Sequence, residues 1–186
     1  MAGDDLLEKW QRLHDIPKDI FGWPDWRELR QPKSSGLLRS QVAQRSTLLI
    51  SLSDKEGINL ENIQARITIW KERPNEDVTC TLEAADNNWT CISRMDFWSN
   101  SPHTNLDWKS VNGLPPRVGD THYHRFKENK AIGSSSFKPN GNLRAAIEFD
   151  IEPKSFRDIL RLIETEWNIE GASDLPLPGK QGGLNV

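Results

Sequence analysis

Four strand patterns follow one another between residues 45 and 98, and this run constrains the fold more than any other feature of the chain. In the second pattern every other residue from Ile63 to Ile69 is apolar, and the residues between them are polar. That alternation is typical of a strand with one face in a core. Short turns separate the four strands, so the sequence predicts an antiparallel meander. The other three strands are predicted at residues 47–52, 78–82 and 89–98.

Two amphipathic helices flank the predicted strands. The first covers residues 4–13 and stops before Pro17, and acidic residues lead its first turn, where the helix dipole favours them. The second begins after Pro153 and repeats apolar residues along one face as far as Trp167. The fold class expected is therefore α+β, an antiparallel β-meander sheet with an N-terminal helix and a C-terminal helix packed on one side. Two more strands are predicted at residues 121–126 and 143–149.

Composition divides the 186 residues into three regions. Residues 1–36 hold the first helix and an arm rich in Trp and Pro. We expect the arm to lie across the domain, because a solvated linker has no use for large aromatic side chains. Residues 37–170 are the predicted α+β core domain. Residues 171–186 contain Pro and Gly without any period, and we expect a flexible C-terminal tail there.

Charge and hydropathy limit the classes of protein that fit this sequence. The net charge is −3 and the apolar share is 35 %, and no apolar run approaches the roughly 18 residues of a membrane span. The acidic first residues do not resemble a signal peptide, so we expect a cytoplasmic protein without membrane contact. Cys80 and Cys91 lack the close spacing of a zinc knuckle, and we expect two reduced thiols. P-loop, Rossmann and serine-hydrolase motifs are absent from the sequence.

Three of the four histidines lie between positions 103 and 124. Residues two apart on a strand point to the same face, so His122 and His124 should project side by side. The loop at residues 99–119 connects two predicted strands, and its prolines lower the entropic cost of ordering it. We expect this loop to pack back on the domain through Leu106, Trp108 and Leu114, and to bring His103 to the other two imidazoles.

Four interpretations of these histidines stay open: a polar outer strand face, an acid–base pair, an anion site and a metal site. Histidine titrates near neutral pH, so two imidazoles can serve as general acid and general base. We expect His122 and His124 to form this catalytic pair and His103 to join them. Arg125 is expected to hold a phosphate by charge-assisted hydrogen bonds. No Cys or third ligand stands at a recognised spacing, so neither a metal nor a cofactor is predicted.

Two segments carry a surplus of positive charge on an otherwise acidic chain. Residues 105–145 hold seven basic and three acidic side chains, and residues 27–45 hold five and one. If the two segments pack together, they form a basic face that could meet RNA or a cognate protein partner. Ordinary solvated Lys and Arg side chains would produce the same pattern.

Several short motifs resemble those of a family of small uncharacterised bacterial and phage proteins. They are a strand ending in Met95-Asp96-Phe97, a Pro-His-x-Asn loop at 102–105, a His-x-His strand at 122–124 and a closing helix that ends near Trp167. The arrangement is also distantly similar to the TumE-type toxins of toxin–antitoxin systems, in which a His-x-His strand precedes a closing helix. The resemblance covers residues 60–170. It implies a cytoplasmic protein of a phage or other mobile element, within toxin–antitoxin modules or defence and counter-defence.

Two functions of different classes follow as hypotheses. The first is a toxin-like protein that binds or cleaves RNA with the histidine cluster, as a metal-independent ribonuclease. The second is a non-catalytic protein-binding module, either an antitoxin or a phage-encoded inhibitor of a host defence complex. Its support is the Trp-rich arm, because Trp and Arg are frequent at interface hot spots. Trp23 and Trp26 are the residues on which this second hypothesis depends.

Overall fold

The computed structural model describes residues 2–29, 45–138 and 143–179. The described helices are α1 (Ala2–Asp15), α2 (Phe126–Ile132) and α3 (Phe156–Trp167). The described strands are β1 (Lys18–Ile20), β2 (Trp26–Glu28), β3 (Arg45–Ser53), β4 (Asn59–Trp70), β5 (Val78–Ala85), β6 (Trp89–Phe97), β7 (His103–Thr104), β8 (Arg117–Val118), β9 (His122–His124) and β10 (Ile169–Glu170).

The main sheet is built on the predicted meander. Its strands lie in the order β10-β1-β3-β4-β5-β6-β9, and β2 also pairs with β3. Every pairing in this sheet is antiparallel except that between β1 and β10. The α+β class and the four-strand meander are therefore confirmed. The strands β3, β4 and β5 extend a few residues beyond the predicted ends, and β6 ends one residue before its predicted end.

The two faces of the sheet have different roles. Alternate residues of β3 to β5 are fully buried and form one core with α1 and α3, which contribute Trp10 and Trp167. The residues between them point to the opposite face. In β6 and β9 that opposite face carries Arg94 and Asp96 beside His124 and His122, their partners in strand register. The face of the sheet turned away from the core therefore presents the histidine strand.

The predicted strand at residues 143–149 is wrong, because the segment makes only an isolated bridge between Ile147 and Tyr123. Two buried amide side chains hold its backbone instead. Asn129 Oδ1 accepts from the amides of Arg144 and Ala145 at 2.9 and 3.0 Å. Asn105 accepts from the Ala146 amide at 2.7 Å and donates to the Ala146 carbonyl at 2.8 Å. An apolar alternation cannot reveal that side chains, rather than a neighbouring strand, pair a segment's backbone.

The other differences concern element ends and the outer regions of the chain. The predicted strand 121–126 stops at His124, and α2 begins at Phe126. The arm contributes β1 and β2 to the main sheet, so the region 1–36 is not separate from the core where it is described. Residues 171–179, placed by the sequence in a flexible tail, pack on the core through Leu175, which is 1 % exposed. Residues 30–44 and 180–186 lie outside the described residues.

Two further sequence expectations concern membranes and thiols. Across the described ranges, none of the helices combines the length and the apolar character needed to cross a bilayer. Cys80 and Cys91 are both free thiols, and they face Met95 and Glu83 rather than each other across the β5–β6 hairpin.

Lys18, the first residue of β1, is a fully buried cation that caps the C-terminal end of α1. Its Nζ donates to the carbonyl oxygens of Leu13, His14 and Ile16 at 3.1, 2.8 and 2.6 Å. The last carbonyls of a helix have no intrahelical partner, and this ammonium group satisfies them. Burial lowers the pKa of Lys18 to about 8 from an ordinary value of 10.5, although Asp15 opposes the shift.

This shift predicts a rise in stability at alkaline pH. Between pH 8 and 10.5 the unfolded chain holds more protons than the folded chain, so the free energy of unfolding increases with pH in that window. We expect a gain of about 2 to 3 kcal/mol relative to the Lys18→Met variant, measured by urea unfolding. The Lys127→Met variant, at an exposed lysine of α2, is the control and should follow the wild type. Parallel pH curves for the wild type and Lys18→Met would contradict the prediction.

Candidate functional site

Three histidines from two separate segments meet on the outer face of the sheet. The ring centroids of His103 and His122 are 5.6 Å apart, those of His103 and His124 are 4.6 Å apart, and those of His122 and His124 are 5.0 Å apart. The expected fold-back of the loop is thus confirmed. It closes through pairing of β7 with β8 and through Asn105, whose amide donates to the carbonyls of Pro115 and Ala146.

The apolar residues of the loop 99–119 match the prediction only in part. Leu114 is buried and packs with Val111 and Ala145 in a small second cluster. Leu106 is 80 % exposed and Trp108 is 42 % exposed, so neither anchors the loop. An ion pair between Asp107 and Arg144 at 2.8 Å holds the same stretch instead.

Each imidazole is fixed by a hydrogen bond between one ring nitrogen and a backbone carbonyl. His122 Nδ1 lies 2.8 Å from the Gly119 oxygen, and His124 Nδ1 lies 2.9 Å from the Ala145 oxygen. His103 Nε2 lies 3.1 Å from the Arg144 oxygen. A carbonyl can only accept, so the bonded ring nitrogen carries the proton in each case. In a neutral imidazole the other nitrogen then keeps its lone pair.

Asp96 of β6 lies directly beside the two strand histidines. Its Oδ2 atom is 3.5 Å from His122 Nε2 and 3.6 Å from His124 Nε2. Arg94 Nε lies 2.7 Å from the same oxygen, and Oδ1 accepts from Thr79 Oγ1 at 2.9 Å and from Arg94 Nη2 at 2.8 Å. The Asp96 side chain is only 3 % exposed. A buried carboxylate therefore faces the free nitrogens of the two strand histidines.

Burial determines the charge of these groups. It lowers the pKa of His124 to about 4 and also lowers the pKa of His122, although Asp96 opposes both shifts. Burial alone would raise the pKa of Asp96, but the ion pair with the Arg94 guanidinium holds that pKa well below its ordinary value. At neutral pH the two strand imidazoles are therefore neutral proton acceptors beside an anion, and neither is a ready proton donor.

The cluster opens into a cavity of about 360 Å³. The remaining wall is mostly polar and comes from β6, from the segment that follows it and from the residue before β5: Asp77, Arg94, Asp96, Ser99, Asn100, Ser101 and Pro102. No aromatic side chain other than the histidines lines it within the described part of the chain. A small polar group suits such a cavity better than an apolar ligand.

Arg125, the predicted phosphate ligand, is not at the site. It follows His124 by one residue, so its side chain leaves the opposite side of the backbone. Its guanidinium group lies 3.6 Å from Glu166 of α3 and 5.2 Å from the ring centre of Tyr123. Arg94 is the cation beside the cluster.

Part of the positive charge in the two basic segments is paired locally. Arg144 and Arg45 pair with Asp107 and Asp77, so part of their charge is neutralised locally. Arg30, Lys33 and Arg39 lie outside the described residues.

Sequence reasoning missed the residues that orient the cluster. Asn129 Nδ2 donates to the Ala145 oxygen at 2.9 Å, the same oxygen that receives His124 Nδ1. The segment 143–147 thus holds two of the three histidines, and Asn129 and Asn105 hold that segment. Strand parity could have identified Arg94 and Asp96, because β6 precedes the histidine loop and would share a face with β9.

One ring nitrogen from each histidine lies within 4.8 Å of the other two, so this cluster could hold a metal ion. Comparisons with protein-family models, with curated proteins and with solved structures found no match to the chain. The proposed function therefore rests on the geometry of the site.

Proposed function

We propose that the histidine cavity is the catalytic centre of an enzyme that cleaves RNA at a phosphodiester bond. The observation that supports this most is the convergence of His103, His122 and His124, each fixed by a backbone carbonyl, in a polar cavity. The pKa values of His122 and His124 are lowered in this cavity, and titratable groups with shifted pKa values in a cleft are candidates for a catalytic site. In the setting that the sequence resemblance implies, the enzyme is a cytoplasmic, toxin-like protein of a phage or mobile element.

The chemistry follows from the acceptor character of the cluster. RNA cleavage begins when a base removes the proton of a ribose 2′-hydroxyl. The 2′-oxygen attacks the adjacent phosphorus, the bond to the 5′-oxygen breaks, and that oxygen takes a proton from the protonated base or from water as a 2′,3′-cyclic phosphate forms. The cluster suits the first step, because its free nitrogens accept protons. The expected acid–base pair of His122 and His124 is incomplete, since burial leaves neither imidazole charged at neutral pH.

A comparison of RNA with DNA tests the proposal. Purified protein is incubated with a labelled single-stranded RNA and with a DNA of the same sequence. We expect cleavage of the RNA alone, because the DNA lacks the attacking 2′-hydroxyl. The His103→Gln variant should be inactive, since Gln can still donate to the Arg144 carbonyl but offers no imidazole nitrogen.

The fourth histidine provides a matched control. His14 lies on α1, where its ring stacks on Phe126 and forms a hydrogen bond with the neighbouring Asp15. It is not one of the residues that line the histidine cavity. His14→Asn should therefore cleave RNA at the wild-type rate. Equal cleavage by the His103→Gln protein, or intact RNA with every protein, would refute the proposal.

A second candidate function, a protein-binding module, is favoured by one surface feature. Phe21 and Trp23 are 47 % and 64 % exposed, and with Leu49 they line a groove of about 300 Å³ beside β3. Trp26, the other residue of that hypothesis, is half-buried, packs on Phe156 and donates to the Pro176 carbonyl at 2.8 Å. Trp23 is therefore the residue of the pair that is available to a protein partner.

If a protein partner binds this groove, Trp23→Ala should weaken co-purification of that partner at least tenfold, because a Trp hot spot typically contributes about 2 kcal/mol or more. Trp108→Ala is the matched control, since that residue is also exposed but lies in the loop 99–119. A partner retained equally by both variants would count against the groove.

A further inference from the structure

We propose that His103, His122 and His124 bind one divalent transition-metal ion, with Zn²⁺ as the best match, and that the ion keeps an open position toward the cavity. The role of the ion in cleavage rests on the proposed function. Binding of the ion does not rest on the proposed function, and it can be measured without any substrate.

The first argument is the number of acceptors at one point. Each ring uses its protonated nitrogen on a carbonyl, so three lone pairs remain, and one nitrogen from each ring lies within 4.8 Å of the others. Lone pairs repel one another unless a proton or a cation lies between them. Metal-bound histidines typically donate their second nitrogen to a carbonyl or carboxylate, which fixes the tautomer and the ring orientation. All three rings show this arrangement.

The second argument comes independently from Asp96. Its Oδ2 is buried and accepts no hydrogen bond of good geometry from the described residues, although Arg94 Nε lies 2.7 Å away. The same oxygen points at the two Nε2 atoms that have lone pairs, at 3.5 and 3.6 Å. Buried acceptors without donors are costly. Arg94 already forms an ion pair with the carboxylate, and a metal ion near Oδ2 would in addition pair with the lone pairs of the two imidazoles.

Geometry and donor type indicate the kind of ion. Imidazole nitrogens suit zinc and other transition metals, whereas calcium and magnesium prefer oxygen ligands. A tetrahedral zinc site with bonds of about 2.1 Å separates its ligand atoms by roughly 3.4 Å, so ring nitrogens that lie within 4.8 Å of one another need to close by up to about 1.4 Å. Three protein ligands and one open position are typical of catalytic zinc. The cavity would supply a water molecule to that position.

A bound ion would supply the positive charge that the neutral histidines lack. Zinc lowers the pKa of a bound water to about 7, and the resulting hydroxide can remove the 2′-hydroxyl proton. That proton converts the hydroxide to water. The ion also stabilises the negative charge that develops on the phosphate oxygens. Asp96, held by Arg94 and Thr79, would orient the water or act as a further ligand.

Metal titration tests the site directly. Protein stripped with a chelator is titrated with Co²⁺, followed by visible absorption, and with Zn²⁺, followed by calorimetry. We expect one ion per chain. The variants His103→Gln, His122→Asn and His124→Asn preserve the donor to each carbonyl and remove the ligand nitrogen. Each should bind at least a hundredfold more weakly, and His14→Asn should bind as the wild type does.

The outcomes separate the metal site from the function. No saturable binding, or equal binding by the three variants, overturns the metal site. Binding at the site without RNA cleavage supports the metal site and refutes the proposed function. Full cleavage by chelator-treated protein supports the function and refutes the role of the ion in cleavage, and the titration alone then decides whether the site binds metal.

Discussion

Replacing both strand histidines, as His122→Asn/His124→Asn, is expected to lower the rate of RNA cleavage by at least a thousandfold. The Asn amide can still donate to the Gly119 and Ala145 carbonyls, so the strand keeps its anchors. What is lost is the pair of nitrogens facing Asp96. A base or metal centre contributes about 10²- to 10⁴-fold or more to such a reaction. The rate is measured on labelled RNA under single-turnover conditions.

The single variants sharpen this prediction. Residues that act as one unit show non-additive effects, so His122→Asn and His124→Asn alone should each lose nearly as much as the double variant. Unfolding curves that match the wild type confirm that the fold is intact. Losses that multiply, or a double variant within tenfold of the wild type, would show that the two histidines do not form one centre.

Removing the Asn129 amide, as Asn129→Ala, is expected to lower the free energy of unfolding by about 3 to 5 kcal/mol. The residue is fully buried, and its side chain accepts from the amides of Arg144 and Ala145 and donates to the carbonyls of Arg125 and Ala145. Each buried group left without a partner costs about 1 to 3 kcal/mol. Urea denaturation measures the change.

The exposed Asn87 in the β5–β6 turn is the matched control, and Asn87→Ala should shift stability by less than about 0.5 kcal/mol. Asn129→Ala should also weaken metal binding, since Ala145 and Arg144 supply the carbonyls that orient two histidines. Equal stability of the two alanine variants would show that segment 143–147 does not depend on Asn129.

The meander and α3 were predictable because one periodic face determines each of them. Alternation from Ile63 to Ile69 specifies which side of β4 is buried, and the spacing from Phe156 to Trp167 does the same for α3. Segment 143–149 shows an apolar pattern as well, but its backbone is paired by Asn129 and Asn105. Such pairing depends on contacts between residues distant in the chain, which periodicity does not record.

The site was predictable to the same extent. Strand parity predicts that His122 and His124 share a face. The prolines of loop 99–119 favour an ordered loop that folds back, and His103 lies beside the other two rings. Strand parity also places Asp96 on the histidine face, which its sequence motif alone does not indicate. The charge of Arg125 and its position beside His124 favour a phosphate ligand, but the same parity turns its side chain toward Glu166. The carbonyl anchors, and with them the number of free lone pairs, required coordinates.

The most direct test is RNA cleavage followed while metal is returned to chelator-treated protein. Co²⁺ is added in fractions of one equivalent, and the visible spectrum and the single-turnover rate are recorded on the same sample. The rate and the absorption should rise together and saturate at one ion per chain, with neither signal in His124→Asn. Cleavage at full rate before any Co²⁺ is added, or a rate that does not change with the occupancy of the site, would contradict a metal-dependent catalytic centre at the three histidines.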